Sequence, residues 1–424
     1  GNLAGWCDMH SKHGSLPLAD VISPAIRLAA GGFKVTNYLN GTIKRHAEDL
    51  ALDPVIAKLF LPAGSPAAPG HTLVQGDFAE SLRMIARDGP AALHGGALGQ
   101  ALIDRLGDEG HVSIDDLRNY TVRERDAILC DYRGFEIAGP PPPASAGVHV
   151  AQMLNILEGY DLRAMGFDNP ETLHLLAEVI RIGFEDRRAA SGDPDFVDIP
   201  VEHLISKNYG RACRDRIRDT AQLQHVPPVV ESNNTTHVTV ADKVGNIVSA
   251  THTINGLFGA RIMVPGTGII PNNYMYNFDP HPGKAMSIVP GKRVPTSMAP
   301  MIVLRQGNPQ FAVGLPGALR IFPSALQAIV NIIDHGMSLQ QAVEAPRLWT
   351  EGAHVELEPC YEHHADALRA KGHSVEIVCH IGGGMNAIAF TDDGEMTGAA
   401  CWRADGTVSA LGGGLADAGV SFHI

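Results

Sequence analysis

The sequence predicts an α+β fold, a layered sandwich in which antiparallel sheets are covered by helices. Two patterns carry that prediction. Up to about Asn233 apolar residues recur mostly at helical spacing, and beyond it alternating runs paired across polar turns take over. A third observation is the length of 424 residues, more than a single small core usually holds, so one large layered domain or two closely packed halves is expected.

In order along the chain, Leu18 to Ala97 has the apolar spacing of short helices broken at Pro62-Ala-Gly-Ser-Pro and Ala68-Pro-Gly. Ser113 before Asp115-Asp116 marks a capped helix start. Tyr132 to Ala138 alternates as a strand. The Gly139-Pro-Pro-Pro-Pro connector leads into a buried helix over Val148–Leu157, another is expected from Pro170 to Ala190, and Leu204 to Leu223 reads as mostly helical. Thr236–Ala241 and Ile247–Ile254 flank a Lys243-Val-Gly-Asn turn as a hairpin. Further strand pairs are Met301–Leu304 with Phe311–Gly314 and Ala387–Phe390 with Glu395–Ala400, with helices at Pro323–His335 and Tyr361–Lys371.

Composition excludes several function classes. Apolar residues at 45% and charged residues at 19% are ordinary for a globular chain. A net charge of −13 without a Lys/Arg block argues against nucleic acid as a partner. The longest apolar stretch, Ile321 to Ile333, is interrupted by Pro323 and Gln327 and is too short to span a bilayer. Six cysteines without C-x-x-C spacing read as small buried hydrophobes. The first residues lack both an initiator Met and a signal-peptide pattern, a start that reads as processed or truncated. That leaves a soluble protein whose compartment, periplasmic or cytoplasmic, stays open.

The run that carries chemistry is Glu231-Ser-Asn-Asn-Thr-Thr-His-Val-Thr-Val-Ala-Asp242. A hydroxyl needs a nearby base to act as a nucleophile near neutral pH. An N-terminal Thr carries its own, because an α-amine with a reference pKa of about 7.7–8.0 is often neutral there. Cleavage between Asn234 and Thr235 creates such a residue: the Thr235 hydroxyl attacks the Asn234 carbonyl, and hydrolysis after the N-to-O acyl shift frees the amine. The same residues also fit a turn leading into a strand, and Asn233 and Asn234 each match a glycosylation acceptor.

Around that run the sequence resembles the gamma-glutamyltransferase family. Thr235 to Asn255 is similar to the first two strands of the family's small subunit. Asp131-Tyr-Arg-Gly-Phe, Pro141 to His149 and Gly192-Asp-Pro-Asp-Phe resemble its large subunit, and Lys292 to Pro300 and Leu315 to Arg320 resemble further small-subunit motifs. The resemblance implies a four-layer αββα sandwich of the N-terminal-nucleophile hydrolase type. Residues 1–234, which start well inside the family pattern, and residues 235–424 would build it jointly.

The resemblance also assigns roles. Thr235 is the nucleophile and Thr253 the hydrogen-bond partner of its hydroxyl, unless Thr253 is an ordinary strand residue. The backbone N–H groups of Gly317 and Ala318 stabilise the oxyanion, where the family has Gly-Gly, although Leu315-Pro-Gly-Ala also reads as a plain turn. Asn255, Thr296 and Ser297 fill carboxylate-clamp positions. Asn277 stands where the family has Asp, and Tyr274 where it has Gln or Glu, at the positions that hold a substrate α-ammonium. The family's N-terminal carboxylate-binding Arg has no counterpart.

The default expectation is therefore a self-processing amidohydrolase or acyltransferase for gamma-glutamyl amides such as glutathione, passing the acyl group to water or an amine. An acylase for a group without the α-amino function, such as glutaryl, is the alternative favoured by Asn277 and Tyr274, and an unprocessed scaffold is a third. No cofactor is implied. The Gly382 and Gly412 runs lack phosphate-loop context, and His237, His252, His363 and His364 show no ligand spacing beyond a His-His pair, so no metal is expected.

Overall fold

The computed structural model describes residues 1–224, 235–391 and 393–411. They pack into two compact units, one of residues 1–125 and 256–273, the other of residues 126–255 and 274–424.

The first unit is built of short helices, as its spacing predicts. Helices Asn37–Arg45, Pro54–Phe60 and Ile114–Asn119 start at Thr36, Asp53 and Ser113, whose side chains accept N–H groups of the first turn. Ser113 and Asp116 form a reciprocal capping box. Val35, Ile43, Leu50, Ile56, Phe60, Leu73 and Met263 make this unit's own core.

The second unit holds the larger core and a six-stranded sheet. Its strands are β1 (Ile128–Tyr132), β2 (Phe135–Gly139), β3 (Thr236–Ala241), β4 (Ile247–His252), β5 (Met301–Arg305), β6 (Asn308–Gly314), β7 (Leu348–Thr350), β8 (Val355–Leu357), β9 (Val375–Ile377), β10 (Asn386–Phe390) and β11 (Met396–Ala400). The sheet runs β11-β10-β6-β5-β2-β1, antiparallel throughout. Strands from before and after Asn234 thus share one sheet.

Helices α1 (Ala146–Leu157), α2 (Pro170–Ala190) and α3 (Ile321–Ile333) share one apolar cluster with that sheet, including Ile137, Val303, Phe311 and Val313. Every residue of α1 is buried, which explains its near-continuous apolar sequence. α2 has Asn169 as N-cap and Pro170 in its first turn.

The hairpin β3–β4 forms a separate pair that packs on β6 and β10. Alternation places Gly314 on the face opposite Val313, and a Cβ at Gly314 would meet His237 of β3. The hairpin therefore covers the sheet face that the helices leave. Its turn is tied by Asp242, whose Oδ1 accepts the N–H groups of Val244 at 3.0 Å and Asn246 at 2.9 Å.

Several expectations change. Tyr132–Ala138 is not one strand: Arg133 and Gly134 take φ of 52° and 82° and fold a two-residue hairpin turn between β1 and β2. Within 204–223 the only longer helix is Lys207–Arg214. The segment from Tyr361 splits into a 3₁₀ turn, Pro359–His364, and a short helix, Ala365–Ala370. The small sheet β9-β8-β7 has a parallel β8–β9 pair, which no hairpin signal could announce. All six cysteines are free; Cys7, Cys213 and Cys401 are buried as expected, whereas Cys130 is half-buried and Cys360 and Cys379 are exposed. Among the described residues no helix is long and apolar enough to cross a membrane.

Candidate active site

The register of the hairpin places the first pair of site residues. β3 and β4 pair from Thr236–His252 to Ala241–Ile247, and one step further along that register Thr235 faces Thr253. Thr235 Oγ1 donates to Thr253 Oγ1 at 3.2 Å, and the same Thr253 oxygen accepts the backbone N–H of Asn255 at 2.8 Å. Asn255 is buried with φ of 70°, a left-handed conformation that Asn tolerates better than most residues. Asn234, the other side of the expected cleavage bond, lies outside the described residues.

On the same face of the hairpin, two residues along, sits His237. Its ring nitrogens share hydrogen bonds with Thr251 and Thr239 hydroxyls, both at 2.9 Å. Burial, with a smaller contribution from His252, pushes its pKa down to about 4, so the ring is neutral at pH 7. The ring packs against Gly314, where a Cβ would stand 2.2 Å from Cε1. His237 therefore sets the spacing between the strand that follows Thr235 and the strand leading to Gly317.

Beyond β6 the chain turns through Leu315-Pro-Gly-Ala318, with φ of 140° at Gly317 and 52° at Ala318. A Cβ at Gly317 would lie 2.6 Å from the Cα of Gly382, and Gly383 N–H donates to the Pro316 carbonyl at 2.7 Å. The Gly382 run is the surface against which this turn packs. Ala318 shows that the backbone accommodates a side chain there, at the cost of a left-handed L-residue.

Behind the glycines lies a buried charge cluster that sequence reading missed. Arg347 Nη1 donates to the carbonyls of Ile381 at 2.9 Å and Gly383 at 3.2 Å. Glu358 Oε1 accepts Ile381 N–H and Arg403 Nε, each at 2.7 Å. Burial, then the neighbouring Arg403, pushes the Arg347 guanidinium down to about 10. Arg347, Glu358 and Arg403 are far apart in sequence and carry no spacing signal that joins them.

The clamp candidates lie on the segment beside α1. Thr296 forms a parallel bridge with Ala144, donating its N–H to the Pro143 carbonyl at 3.1 Å and accepting the Ser145 N–H at 2.8 Å. The polyproline run therefore frames Thr296. Ser297 Oγ donates to the Ala318 carbonyl at 2.7 Å, so it braces the turn of Gly317 and Ala318 as well as standing at a clamp position. Tyr274 Oη shares a hydrogen bond of 3.4 Å with Thr296 Oγ1. Asn277 ends the same 3₁₀ turn, and its Oδ1 is buried with no hydrogen-bond partner.

The predicted residues thus fall into contacting groups, Thr235–Thr253–Asn255, Ser297–Ala318 and Tyr274–Thr296. His237 on Gly314 links the first to the strand that carries the second, and the adjacency of Thr296 and Ser297 links the second to the third. A threonine hydroxyl bonded to a second one, a left-handed backbone turn and a cluster of polar side chains are the kinds of groups that acyl transfer employs.

Comparison with known proteins bears on the family and the fold. Residues 1–411 match the family model described as gamma-glutamyltranspeptidase. The acylase ACY 1 proenzyme of Pseudomonas sp. strain V22 is 58% identical over 429 aligned residues, covering 100% of this chain and 77% of that protein. The glutathione hydrolase proenzyme of Escherichia coli K12 is 34% identical over 421 residues, covering 94% and 72%. The crystal structure of cephalosporin acylase from Bacillus halodurans matches with a TM-score of 0.88 at 28% identity, covering 97% and 77%. The αββα sandwich expected from the sequence is the fold shared with that structure. This chain is an enzyme of the gamma-glutamyltranspeptidase family, within the N-terminal-nucleophile hydrolases.

Proposed function

We propose that this chain is a self-processing acylase, with Thr235 as nucleophile, for amides whose acyl group carries a carboxylate but no α-amino function, glutaryl being the reference case. The observation that carries the reading is that neutral side chains stand where a carboxylate would hold the ammonium: Tyr274, bonded to Thr296, and Asn277, which ends the same turn with its Oδ1 buried. Without a carboxylate there, a substrate ammonium loses a charge-assisted bond of roughly 1.5–3 kcal/mol. The names of the 58% identical relative and of the matching structure, both acylases, support it over gamma-glutamyl hydrolysis.

In this reading the Thr235 hydroxyl first attacks the Asn234 carbonyl. Hydrolysis of the resulting ester divides the chain into 1–234 and 235–424, and the word proenzyme in both relatives' names fits such a step. The freed amine then takes the Thr235 hydroxyl proton as Oγ1 attacks the substrate carbonyl. Thr253 Oγ1 orients that hydroxyl, and the N–H groups of Gly317 and Ala318 receive the oxyanion. The C–N bond breaks as the amine's proton passes to the leaving group. Water attacks the acyl ester, releasing the acid, with an amine as the other possible acceptor.

The test is intact mass under denaturing conditions, followed by a substrate panel. Wild type is expected as two fragments divided at Asn234/Thr235 and Thr235→Ala as one chain. The processed enzyme is expected to turn over a glutaryl amide at least about tenfold better, in kcat/KM, than its gamma-glutamyl counterpart, the ratio one lost charge-assisted bond implies. Asn277→Asp should narrow that ratio. An uncut wild type sinks the nucleophile assignment, and a preference for the gamma-glutamyl amide sinks the acyl-group assignment alone.

A further inference from the structure

The loop before α2 and the 3₁₀ turn Pro359–His364 bring together three side chains that the acylase reading does not use. His364 Nε2 lies 2.6 Å from Asp168 Oδ1, and His363 Nε2 lies 3.2 Å from the same oxygen. The ligand atoms of the three residues all fall within 4.8 Å of one another. Neighbouring residues on a helical turn normally point apart. Here the two imidazole rings instead sit 3.9 Å apart, centroid to centroid, and aim at one carboxylate.

The backing of this cluster is fixed. Phe167, next to Asp168, packs on Tyr361 at 5.8 Å and on His335 at 5.7 Å between ring centroids. Tyr361, two residues before His363, is 2% exposed. Asn169, on the other side of Asp168, is committed as the N-cap of α2. The ligating atoms face outward, with the side chains of His363 and Asp168 56% and 58% exposed and His364 12%, so further positions are open to water.

We propose that Asp168, His363 and His364 form a surface site for a divalent transition-metal ion such as zinc. Two imidazoles and one carboxylate suit zinc, cobalt or nickel and not calcium or magnesium, which take oxygen ligands. Zinc bonds of about 2.0–2.1 Å set two ligand atoms roughly 2.9–3.4 Å apart, depending on the angle at the metal. The 2.6 and 3.2 Å separations reach that range with shifts of a few tenths of an ångström. The ion would join the loop at the start of α2 to the turn before Ala365–Ala370, a staple independent of the nucleophile. The sequence showed only the His-His pair, since Asp168 lies 196 positions from His364.

The experiment uses the full chain. Cobalt(II) titration followed by visible absorption, and calorimetry with zinc, should show one equivalent bound by wild type and one equivalent fewer in Asp168→Asn and in His363→Gln. Both altered side chains are exposed, so the variants should melt like wild type without metal but lose the zinc-induced rise in melting temperature. Magnesium should have no effect. Cys360→Ser should keep the bound equivalent; losing it there would assign the ion to the thiol. Absence of uptake, or unchanged uptake in both ligand variants, would overturn the proposal.

Discussion

Ala318 occupies a position where most L-residues are disfavoured. Its left-handed φ costs roughly 1–2 kcal/mol, while the Cβ it carries is buried and contributes about 0.8 kcal/mol. The two terms nearly cancel once the extra entropy of an unfolded Gly is counted. Ala318→Gly is therefore expected to change unfolding free energy by less than about 1 kcal/mol and to retain turnover. Ala318→Val, β-branched at positive φ, should destabilise by more than that and, if the proposed role of its N–H holds, lower kcat with KM little changed, because the proposed oxyanion donor turns away at a cost of roughly 10²–10³ in rate. Equal tolerance of Gly and Val in urea unfolding and steady-state kinetics would remove this account. At this scale the sequence was informative about Thr235 and Thr253, because their pairing follows from one hairpin register. It was silent about Ser297 bracing Ala318, a bond between segments whose proximity only the folded chain creates.

Between elements, the decisive contact is the His237 ring on Gly314. The ring cannot retreat, since both nitrogens are bonded to threonines of its own hairpin and its far side is buried. Gly314→Ala adds one methyl into that contact and is expected to cost about 1–3 kcal/mol by overpacking. Because the displaced strand begins next to Thr235, the proposed nucleophile, kcat should fall as well. A double-mutant cycle with His237→Ser checks the cause: the second change should recover part of the stability lost to the first, and purely additive losses would place the strain elsewhere. The hairpin itself was legible from alternation around Lys243-Val-Gly-Asn. The β1–β2 turn was not, because Arg133 at positive φ hides a two-residue turn that Asn-Gly would have advertised. The Arg347–Glu358–Arg403 cluster was invisible for a different reason: periodicity records which residues are apolar, and buried charges that satisfy one another break that record.

For the molecule as a whole, acid should be the weak side. Burial pushes His149, His237 and His373 each down to about 4 from an ordinary 6.5. Between those values the unfolded chain binds more protons than the native one, so stability rises with pH through the window. The contribution is complete above about pH 6.5 and is lost as pH falls toward 4. Melting temperature is expected to be level from pH 7 to 8 and to fall steadily below 6.5, with each of the three histidines adding about one proton to the unfolding reaction. A melting temperature unchanged between pH 7 and 5 would show that the rings are solvated. The layered α+β class was legible at this scale because length, helical spacing before Asn233 and hairpins after it all bear on architecture. That both sides of Asn234 build the sandwich jointly was expected from the resemblance, but the pairing of β2 with β5 that joins them was not, since it is long-range.

The turn held by Asp242 stands at the opposite end of β3 from Thr235, six paired residues away, roughly 20 Å at about 3.3 Å per residue. Surface turns are ordinarily where lineages gain and lose residues without penalty. Here the alternation of faces turns loop length into a matter of handedness. A one-residue slip between β3 and β4 exchanges inward and outward side chains along the pair, swinging His237 out to water and leaving the hydroxyl of Thr235 without Thr253 opposite. Changes of residue type in this exposed turn are therefore expected to be tolerated, and a change of length that shifts the register only with a compensating bulge.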